Sequence, residues 1–267
     1  MLEAIGIADT LRVHGCPIRS IEVRDGLQAK PLDFTPADGE ALGTMVANRV
    51  LRQTLYAAAE AAEHVTLCVP GRALSVERTA SGVAATLDDG TAVAADVLIV
   101  AEGRQSPTRE AAGIRIARWQ YDHSAIISAF DHSTPHDNVA HEIFYPDGPF
   151  ALLPMLPGQG VMALSDTAFA REAEKRAGGL LGTLSSAAPR TSWPLGFHHA
   201  ARITDLRMVL VGDAAHGIHP IAGQGLNLGF RDVAALVEVL VEEIDALDEN
   251  GPAAHGRALH QGPDVDG

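Results

Sequence analysis

The distribution of apolar residues changes most sharply near the carboxyl end of the chain. Residues 208–211 form a short apolar run bounded by Gly212, which predicts a strand buried on both faces. From about Gln224 the apolar residues instead recur at spacings of three and four, which predicts a helix that ends near Asp245. The apolar positions of this helix are Leu226, Phe230, Val233, Ala234, Leu236, Val237, Leu240 and Val241.

The segment between this strand and this helix has the features of a ligand-binding loop. Asp213 follows the predicted strand directly, at the place where open α/β sheets carry ligand-binding groups. Pro220 and three glycines, Gly217, Gly223 and Gly225, keep the segment out of regular structure and allow a ligand to approach the backbone. The following helix begins with free N–H groups and the positive end of its dipole, which favours an anionic ligand.

Apolar runs elsewhere in the chain predict further elements. A second buried strand is predicted over 96–101, and a helix begins shortly after it. The other predictions are a helix opening near Asn48, strands over 125–130, 141–145, 150–156 and 160–164, and a helix over 168–184.

The loop sequence has a specific likeness. Gly212-Asp-Ala-Ala-His, then His-Pro, Gly-Gln-Gly-x-Asn-x-Gly and an acidic residue at 232, resembles the second FAD-binding motif of the ubiquinone-biosynthesis hydroxylases, which are class A flavoprotein monooxygenases. The resemblance implies that Asp213 holds a ribityl hydroxyl of FAD. It also implies that the next residues line the flavin ring, namely Pro220, Gly223, Gln224, Gly225, Leu226 and Asn227. The alternative is an ordinary strand, loop and helix with a turn aspartate.

A second motif supports the same family. The run from Glu102 to Arg109 is similar to the family's Asp-Gly motif, which lies near the FAD pyrophosphate and is linked to the use of a pyridine nucleotide. Gly103, Ser106 and Arg109 are kept, but Glu102 stands where the family has aspartate. We expect the extra methylene to displace the carboxylate by about 1.5 Å, a shift that matters in a catalytic site.

A third likeness lies in residues 43–55, which resemble a family segment that opens a helix and carries an arginine to the cofactor. Arg52 is the candidate, because a guanidinium holds a pyrophosphate with two donors at once. Arg49 is the weaker candidate. The alternative, with equal weight, is that Arg52 is a solvated arginine on an amphipathic helix.

The resemblance predicts an α/β fold with an α+β substrate layer. The FAD-binding part, Rossmann-like, is expected over 38–116 and 198–245, interleaved with a mostly antiparallel substrate sheet over 17–37 and 117–197, and a polar tail over 246–267. The family's Gly-x-Gly-x-x-Gly unit and its later helices have no counterpart in the sequence. We therefore expect an incomplete FAD-binding domain.

Composition narrows the function classes. The chain has 267 residues, 46% of them hydrophobic, and a net charge of −14, which indicates a globular protein and argues against nucleic acid as a partner. No apolar run is long enough for a membrane span, and no signal peptide is visible.

Cys16 and Cys68 lack metal or redox spacing, and His216 and His219 do not form a convincing metal site, so we expect no metal and a cytoplasmic location. A serine hydrolase is disfavoured because no Gly-x-Ser-x-Gly elbow is present.

The middle of the chain is expected to face the substrate. Phe144, Phe150, Leu152 and Pro154 are candidates for an apolar wall around an aromatic ring, although core packing is the more common role for each. The resemblance implies that NADPH or NADH reduces FAD and that dioxygen then hydroxylates a polyprenyl phenol. Contact with the inner membrane surface and with other subunits of a ubiquinone-biosynthesis complex is implied in the same way. No catalytic side chain is assigned. The competing interpretation is an inactive remnant or subunit that serves only as a binding module.

Overall fold

The chain divides into two compact units. The computed structural model describes residues 1–27, 30–156, 167–186, 189–219 and 223–250, without the side chains at 123, 167–169, 186 and 243–250. The first unit comprises residues 1–69 and 122–195, and the second comprises 70–121 and 196–267. Residues 38–69 therefore group with the sheet-forming segments and not with 70–116. Which unit binds which ligand stays a prediction.

The first unit is built around a four-stranded mixed sheet. Its elements are α1 (Ala8–His14), β1 (Gly15–Ile18), β2 (Ser20–Asp25), β3 (Leu32–Phe34), β4 (Gly43–Val46), α2 (Asn48–Ala61), β10 (Phe130–His132), β11 (Val139–Tyr145), β12 (Gly148–Leu152), α4 (Thr167–Ala177) and β13 (Leu184–Ser186). The sheet order is β12-β11-β2-β3, in which β2 and β11 are parallel and the other two pairs are antiparallel. Two antiparallel pairs, β1 with β4 and β10 with β13, complete the unit.

The second unit carries the predicted glycine-rich loop. Its elements are β5 (Ala73–Thr79), β6 (Gly82–Leu87), β7 (Ala92–Ala95), β8 (Leu98–Val100), α3 (Pro107–Ala111), β15 (Thr204–Asp205), β16 (Met208–Leu210), a 3₁₀ turn (Gly212–Ala214), β17 (His216–Gly217) and α5 (Gly225–Asn250). Strands β5, β6 and β7 form an antiparallel meander, and β8 pairs in parallel with β16. Two longer strands, β9 (Ile116–Ile127) and β14 (Thr191–Ala200), contribute residues to both units and form a sheet with β17.

Each unit has its own buried apolar cluster. In the second unit the cluster surrounds β8 and β16 and contains Val100, Ile114, Ala200, Met208, Leu210, Ala214 and Ala215. In the first unit Ala173 and Ala177 of α4 form a cluster with Leu181 and with Leu184 of β13, and Phe130, Phe150 and Leu152 pack against it. Burial of such side chains supplies the main favourable free energy of folding.

Several predicted boundaries were wrong for identifiable reasons. The helix predicted over 168–184 ends at Ala177, because Gly178 and Gly179 follow with φ of +60° and +78°, a backbone conformation that favours glycine. The strand predicted over 150–156 ends at Leu152, shortly before Pro154, which cannot donate to a strand ladder. The strand predicted over 160–164 lies outside the described residues.

Two other elements are longer than predicted. The strand predicted over 125–130 begins at Ile116 and ends at Ile127, and Phe130 starts the next strand. Helix α5 continues past Asp245 to Asn250, because the sequence contains no glycine or proline before Gly251-Pro252. Within the described part of the chain, no helix has the length and apolarity that a membrane crossing requires.

Candidate functional site

The two motifs meet at one edge of a parallel strand pair. Strands β8 and β16 run in register, with Leu98 opposite Met208 and Val100 opposite Leu210, and the N–H of Val211 donates to the carbonyl of Val100 at 3.0 Å. The carboxyl ends of parallel strands point the same way. The Glu102–Arg104 segment and the Gly212–Asp213 segment, more than a hundred residues apart in sequence, therefore emerge side by side.

A buried arginine ties these two segments together. Arg109 has no exposed surface, and its guanidinium donates to the carbonyl of Ala214 at 2.9 Å and to the carbonyl of Arg104 at 3.0 Å. One rigid planar group thus satisfies a backbone acceptor from each motif. Arg109 acts here through the backbone that surrounds the site.

The carboxylate of Asp213 lies at the open side of this edge. It accepts a hydrogen bond from Arg104 Nε at 3.1 Å, and the two side chains remain 47% and 44% exposed. An ion pair with this much solvent access contributes little to stability, about 0–1 kcal/mol. Asp213 is therefore free to exchange this donor for a ligand hydroxyl at small cost.

His198 contacts the backbone of the Gly212–Ala214 turn. Its Nε2 lies 2.8 Å from the carbonyl oxygen of Asp213, and because a carbonyl only accepts, Nε2 must carry a proton. Burial lowers the pKa of His198, and the nearby Arg104 and Arg109 act in the same direction, against the raising effect of Asp213. The ring is therefore neutral at neutral pH and serves as a fixed donor.

Glu102 has a structural role in this arrangement. Its carboxylate accepts hydrogen bonds from Ser106 Oγ at 2.6 Å, Thr108 N at 3.1 Å and Thr108 Oγ1 at 2.9 Å. Desolvation raises the pKa of Glu102, but these hydrogen bonds outweigh it and the net pKa is lowered. The longer side chain at this position is therefore held, as an anion, over the amino end of α3, where a negative charge is favourable.

The described members of the predicted ring-lining set, residues 223–227, lie at the start of α5 and just before it. Leu228 N donates to Gln224 O at 2.9 Å, so the N–H groups of residues 225–227 precede the first intrahelical bond. A Cβ added at Gly223 or at Gly225 would meet nothing within 4 Å, which leaves the backbone open to a ligand. Leu226 is 55% exposed, and Asn227 Nδ2 donates to Gln224 Oε1 at 3.3 Å. Pro220 lies outside the described residues.

The structure brings most, but not all, of the predicted residues into one unit. Gly103, Gly212, Asp213 and residues 223–227 belong to the second unit, whereas Arg52 lies exposed on α2 of the first unit. Two residues of the predicted apolar wall, Phe150 and Leu152, pack against the buried cluster of the first unit that includes Ala173 and Ala177. These two side chains therefore belong to the core of that unit.

Two residues of the site were missed by the sequence analysis. Arg104 occupies an unspecified position of the Asp-Gly motif, and its placement after a strand was the one available signal. His198 lies on β14, outside both motifs, and no sequence feature distinguishes it from the other eleven histidines. Both became apparent only from the pairing of strands.

The sequence profile of the FAD binding domain family matches residues 1–251. The chain belongs to this family. It is 40% identical to ubiquinone hydroxylase UbiL of Rhodospirillum rubrum, with 95% of the chain and 62% of the relative covered. It is 35% identical to 3-demethoxyubiquinol 3-hydroxylase of Escherichia coli, with 90% of the chain and 65% of the relative covered. The chain thus spans a little less than two thirds of the length of these relatives.

Solved structures confirm the fold class. The chain superposes on pqsL, a probable FAD-dependent monooxygenase from Pseudomonas aeruginosa, with a TM-score of 0.72 at 20% identity, covering 94% of this chain and 75% of that chain. For p-nitrophenol 4-monooxygenase PnpA from Pseudomonas putida the TM-score is 0.70 at 16% identity, covering 95% and 69%. The predicted α/β fold of FAD-dependent monooxygenases is therefore confirmed.

The residues present fit FAD, the cofactor of this family. Asp213 offers a half-exposed carboxylate suited to a sugar-alcohol hydroxyl. The start of α5 offers backbone N–H groups beside open space, which suit the polar edge of a flavin that becomes negative on reduction. Gly103, with φ of +81° and open space around its Cβ position, allows close approach at the neighbouring strand end.

Proposed function

We propose that this chain is an FAD-dependent monooxygenase that hydroxylates a phenolic ring in ubiquinone biosynthesis. The single observation that carries the proposal is the parallel pairing of β8 with β16, which brings the Asp-Gly-like and Gly-Asp motifs to one edge. The relatives named as ubiquinone hydroxylases support the reaction class.

In this proposal each motif holds a different part of FAD. Asp213 accepts a ribityl hydroxyl, while Gly212 and Gly103 keep the backbone close to the cofactor. The residues proposed to line the flavin ring are Pro220, Gly223, Gln224, Gly225, Leu226 and Asn227. Arg52 holds the pyrophosphate. When bound, FAD supplies the oxygen chemistry with electrons from NADPH or NADH and with dioxygen as co-substrate.

The protein's own contribution is electrostatic and positional. The dipole of α5 and the N–H groups of its first residues stabilise negative charge on the flavin edge, and the neutral His198 and the buried Arg109 fix the turn that presents Asp213. No side chain is assigned as an acid or a base.

The substrate class follows from the relatives' names. A polyprenyl phenol is the proposed substrate, because both relatives are named for ubiquinone intermediates or products. Such a lipid partitions into the bilayer, so we propose that the protein is cytoplasmic and works at the inner membrane surface, in contact with other subunits of a ubiquinone-biosynthesis complex.

The proposal is tested by product formation. Purified chain is mixed with FAD, NADH or NADPH and a short-chain prenylated phenol, and the products are examined by mass spectrometry. We expect nucleotide oxidation that depends on the phenol, together with a product heavier by one oxygen atom. The Asp213→Ala variant is the control. A chain that binds FAD tightly but forms no hydroxylated product with either nucleotide would favour the role of a binding module.

A further inference from the structure

One carboxylate joins three segments around the Asp213 turn. Oδ2 of Asp232, on the second turn of α5, accepts the N–H of Gly212 at 2.7 Å and faces Nε2 of His216 at 2.8 Å. The side chains of Asp232 and His216 are 27% and 19% exposed, so both contacts are largely shielded from water. The helix, the 3₁₀ turn and β17 are thereby held through a single oxygen atom.

The backbone at Gly212 lies in close contact with α5. Its φ is +58°, a conformation favoured by glycine, and Ala215 N closes the turn on Gly212 O at 2.9 Å. A Cβ added at Gly229 on α5 would lie 3.3 Å from the Gly212 Cα, so helix and turn are in close approach. The Gly212 N–H therefore points at the helix, where the Asp232 carboxylate receives it.

The direction of this N–H decides where the next side chain points. Gly212 immediately precedes Asp213, and glycine has the widest choice of backbone conformations. An unconstrained Gly212 would spread the Asp213 carboxylate over several positions. A charge-assisted hydrogen bond is about twice as strong as a neutral one, so the anionic Asp232 restrains this peptide well.

We propose that Asp232, with His216, is a positioning residue that fixes the Gly212–Asp213 turn in the geometry that FAD requires. The residue does not itself contact the cofactor. The inference rests on the proposed function, because it assigns to Asp232 the orientation of the proposed ribityl ligand.

The first test is the affinity for FAD, followed by flavin fluorescence on the full chain. We expect Asp232→Ala to weaken binding about tenfold or more, and Asp232→Asn to weaken it about threefold, because the amide oxygen still accepts a hydrogen bond but without the charge. His216→Ala should lie between wild type and Asp232→Ala. Glu238→Gln, which removes the same charge from an exposed position of the same helix, should leave the affinity unchanged.

A second readout separates positioning from simple loss of stability. Leu236→Ala truncates a partly buried side chain one turn further along α5 and is expected to lower the unfolding midpoint without changing the affinity of the folded chain for FAD. Amide hydrogen exchange of the Gly212 peptide reports the bond directly. We expect faster exchange there in Asp232→Ala than in Leu236→Ala at equal stability.

The outcomes distinguish the two proposals. If wild type binds FAD and Asp232→Ala binds equally well, the positioning role is overturned while the flavin site stands. If Gly212 exchange is unchanged in Asp232→Ala, the positioning role is overturned whether or not FAD binds. If wild type shows no saturable binding while Gly212 exchange responds as expected, the flavin site fails, and with it the role of Asp232 towards FAD.

Discussion

The carboxyl edge of the β8–β16 pair and the four-stranded sheet under α4 are held together in different ways. At the strand edge, charged and polar side chains bind backbone groups, as Arg109 does at Ala214 O and Arg104 O, and Asp232 does at Gly212 N. The face of the four-stranded sheet that α4 covers is packed by apolar side chains, with small alanines of α4 against Phe150, and Ile143 is wholly buried in β11.

This difference has a functional meaning. Hydrogen bonds are directional and fix the positions of atoms, whereas apolar burial is roughly proportional to area and tolerates small shifts. A region that must present a carboxylate and a row of N–H groups to a ligand is therefore expected to be held by hydrogen bonds. The comparison predicts that the two regions respond differently to substitution.

The largest expected effect is at Arg109. Arg109→Ala should lower the free energy of unfolding by about 3 kcal/mol or prevent folding, because two carbonyls and the space of a wholly buried side chain are left unfilled. Arg202→Ala is the matched control, since Arg202 also donates to a carbonyl, that of Ala112, but its side chain is 50% exposed. We expect a change within about 0.5 kcal/mol for the control. If Arg109→Ala and Arg202→Ala lowered the free energy of unfolding equally in denaturant titrations, the proposed role of Arg109 in joining the two segments would be contradicted.

A similar loss of stability is expected from the α4 sheet, but without a change in ligand affinity. Ile143→Ala should cost about 3 kcal/mol and Ile143→Val about 1 kcal/mol, the usual range for truncating a buried isoleucine. The variants are compared by urea unfolding and by FAD titration below the unfolding transition. A loss of FAD affinity in the folded Ile143→Val variant would show that the sheet and the strand edge are not separable in this way.

A fall in pH should lower the stability of both regions, because each contains a buried neutral histidine. Burial is the main cause that lowers the pKa of His198 and of His141 from the ordinary 6.5, against raising contributions from Asp213 and Glu22 respectively. Below pH 6.5 the unfolded chain then binds more protons than the folded chain, so stability is complete above this pH and decreases as the pH falls towards the folded pKa.

Glutamine variants separate the two contributions. His198→Gln keeps a donor towards the Asp213 carbonyl but cannot titrate, so its unfolding midpoint should fall less than that of wild type between pH 7.5 and pH 5.5. His141→Gln provides the same comparison for the first unit. The interpretation would be wrong for His198 if wild type and His198→Gln lost equal stability over this interval. The charged groups near His198 are Arg104, Arg109 and Asp213. They are present in wild type and in His198→Gln, so their own contributions to the pH dependence cancel in the comparison.

The smallest expected effect is at Arg104. Because its ion pair with Asp213 is almost half exposed, Arg104→Gln should change stability by less than about 1 kcal/mol and FAD affinity by less than about fivefold. Thermal unfolding and FAD titration measure both quantities. A large loss of affinity would indicate that Arg104 itself holds the cofactor.

The sequence predicted the local chemistry better than the long-range pairing. The turn after β16 and the start of α5 were predicted because glycines, Pro220 and the change of apolar period mark them locally. The pairing of β8 with β16 depends on topology across more than a hundred residues, so the contact of Arg104 with Asp213 was not predicted. The contact of His198 with the Asp213 carbonyl depends on the antiparallel pairing of β14 with β17, which was not predicted either. The predicted end of α4 was wrong because Gly178 and Gly179, which adopt positive φ, end the helix at Ala177.

The central claim is that the Glu102–Arg109 motif and the Gly212–Asp213 motif form an FAD site around Asp213. The most direct measurement is a titration of the purified chain with FAD, followed by flavin absorbance and fluorescence, for wild type and Asp213→Ala. We predict saturable binding by wild type and an affinity at least about tenfold weaker for Asp213→Ala, as expected for losing a hydrogen bond to a charged group. Absence of saturable binding, or equal affinity for both proteins, would contradict the account.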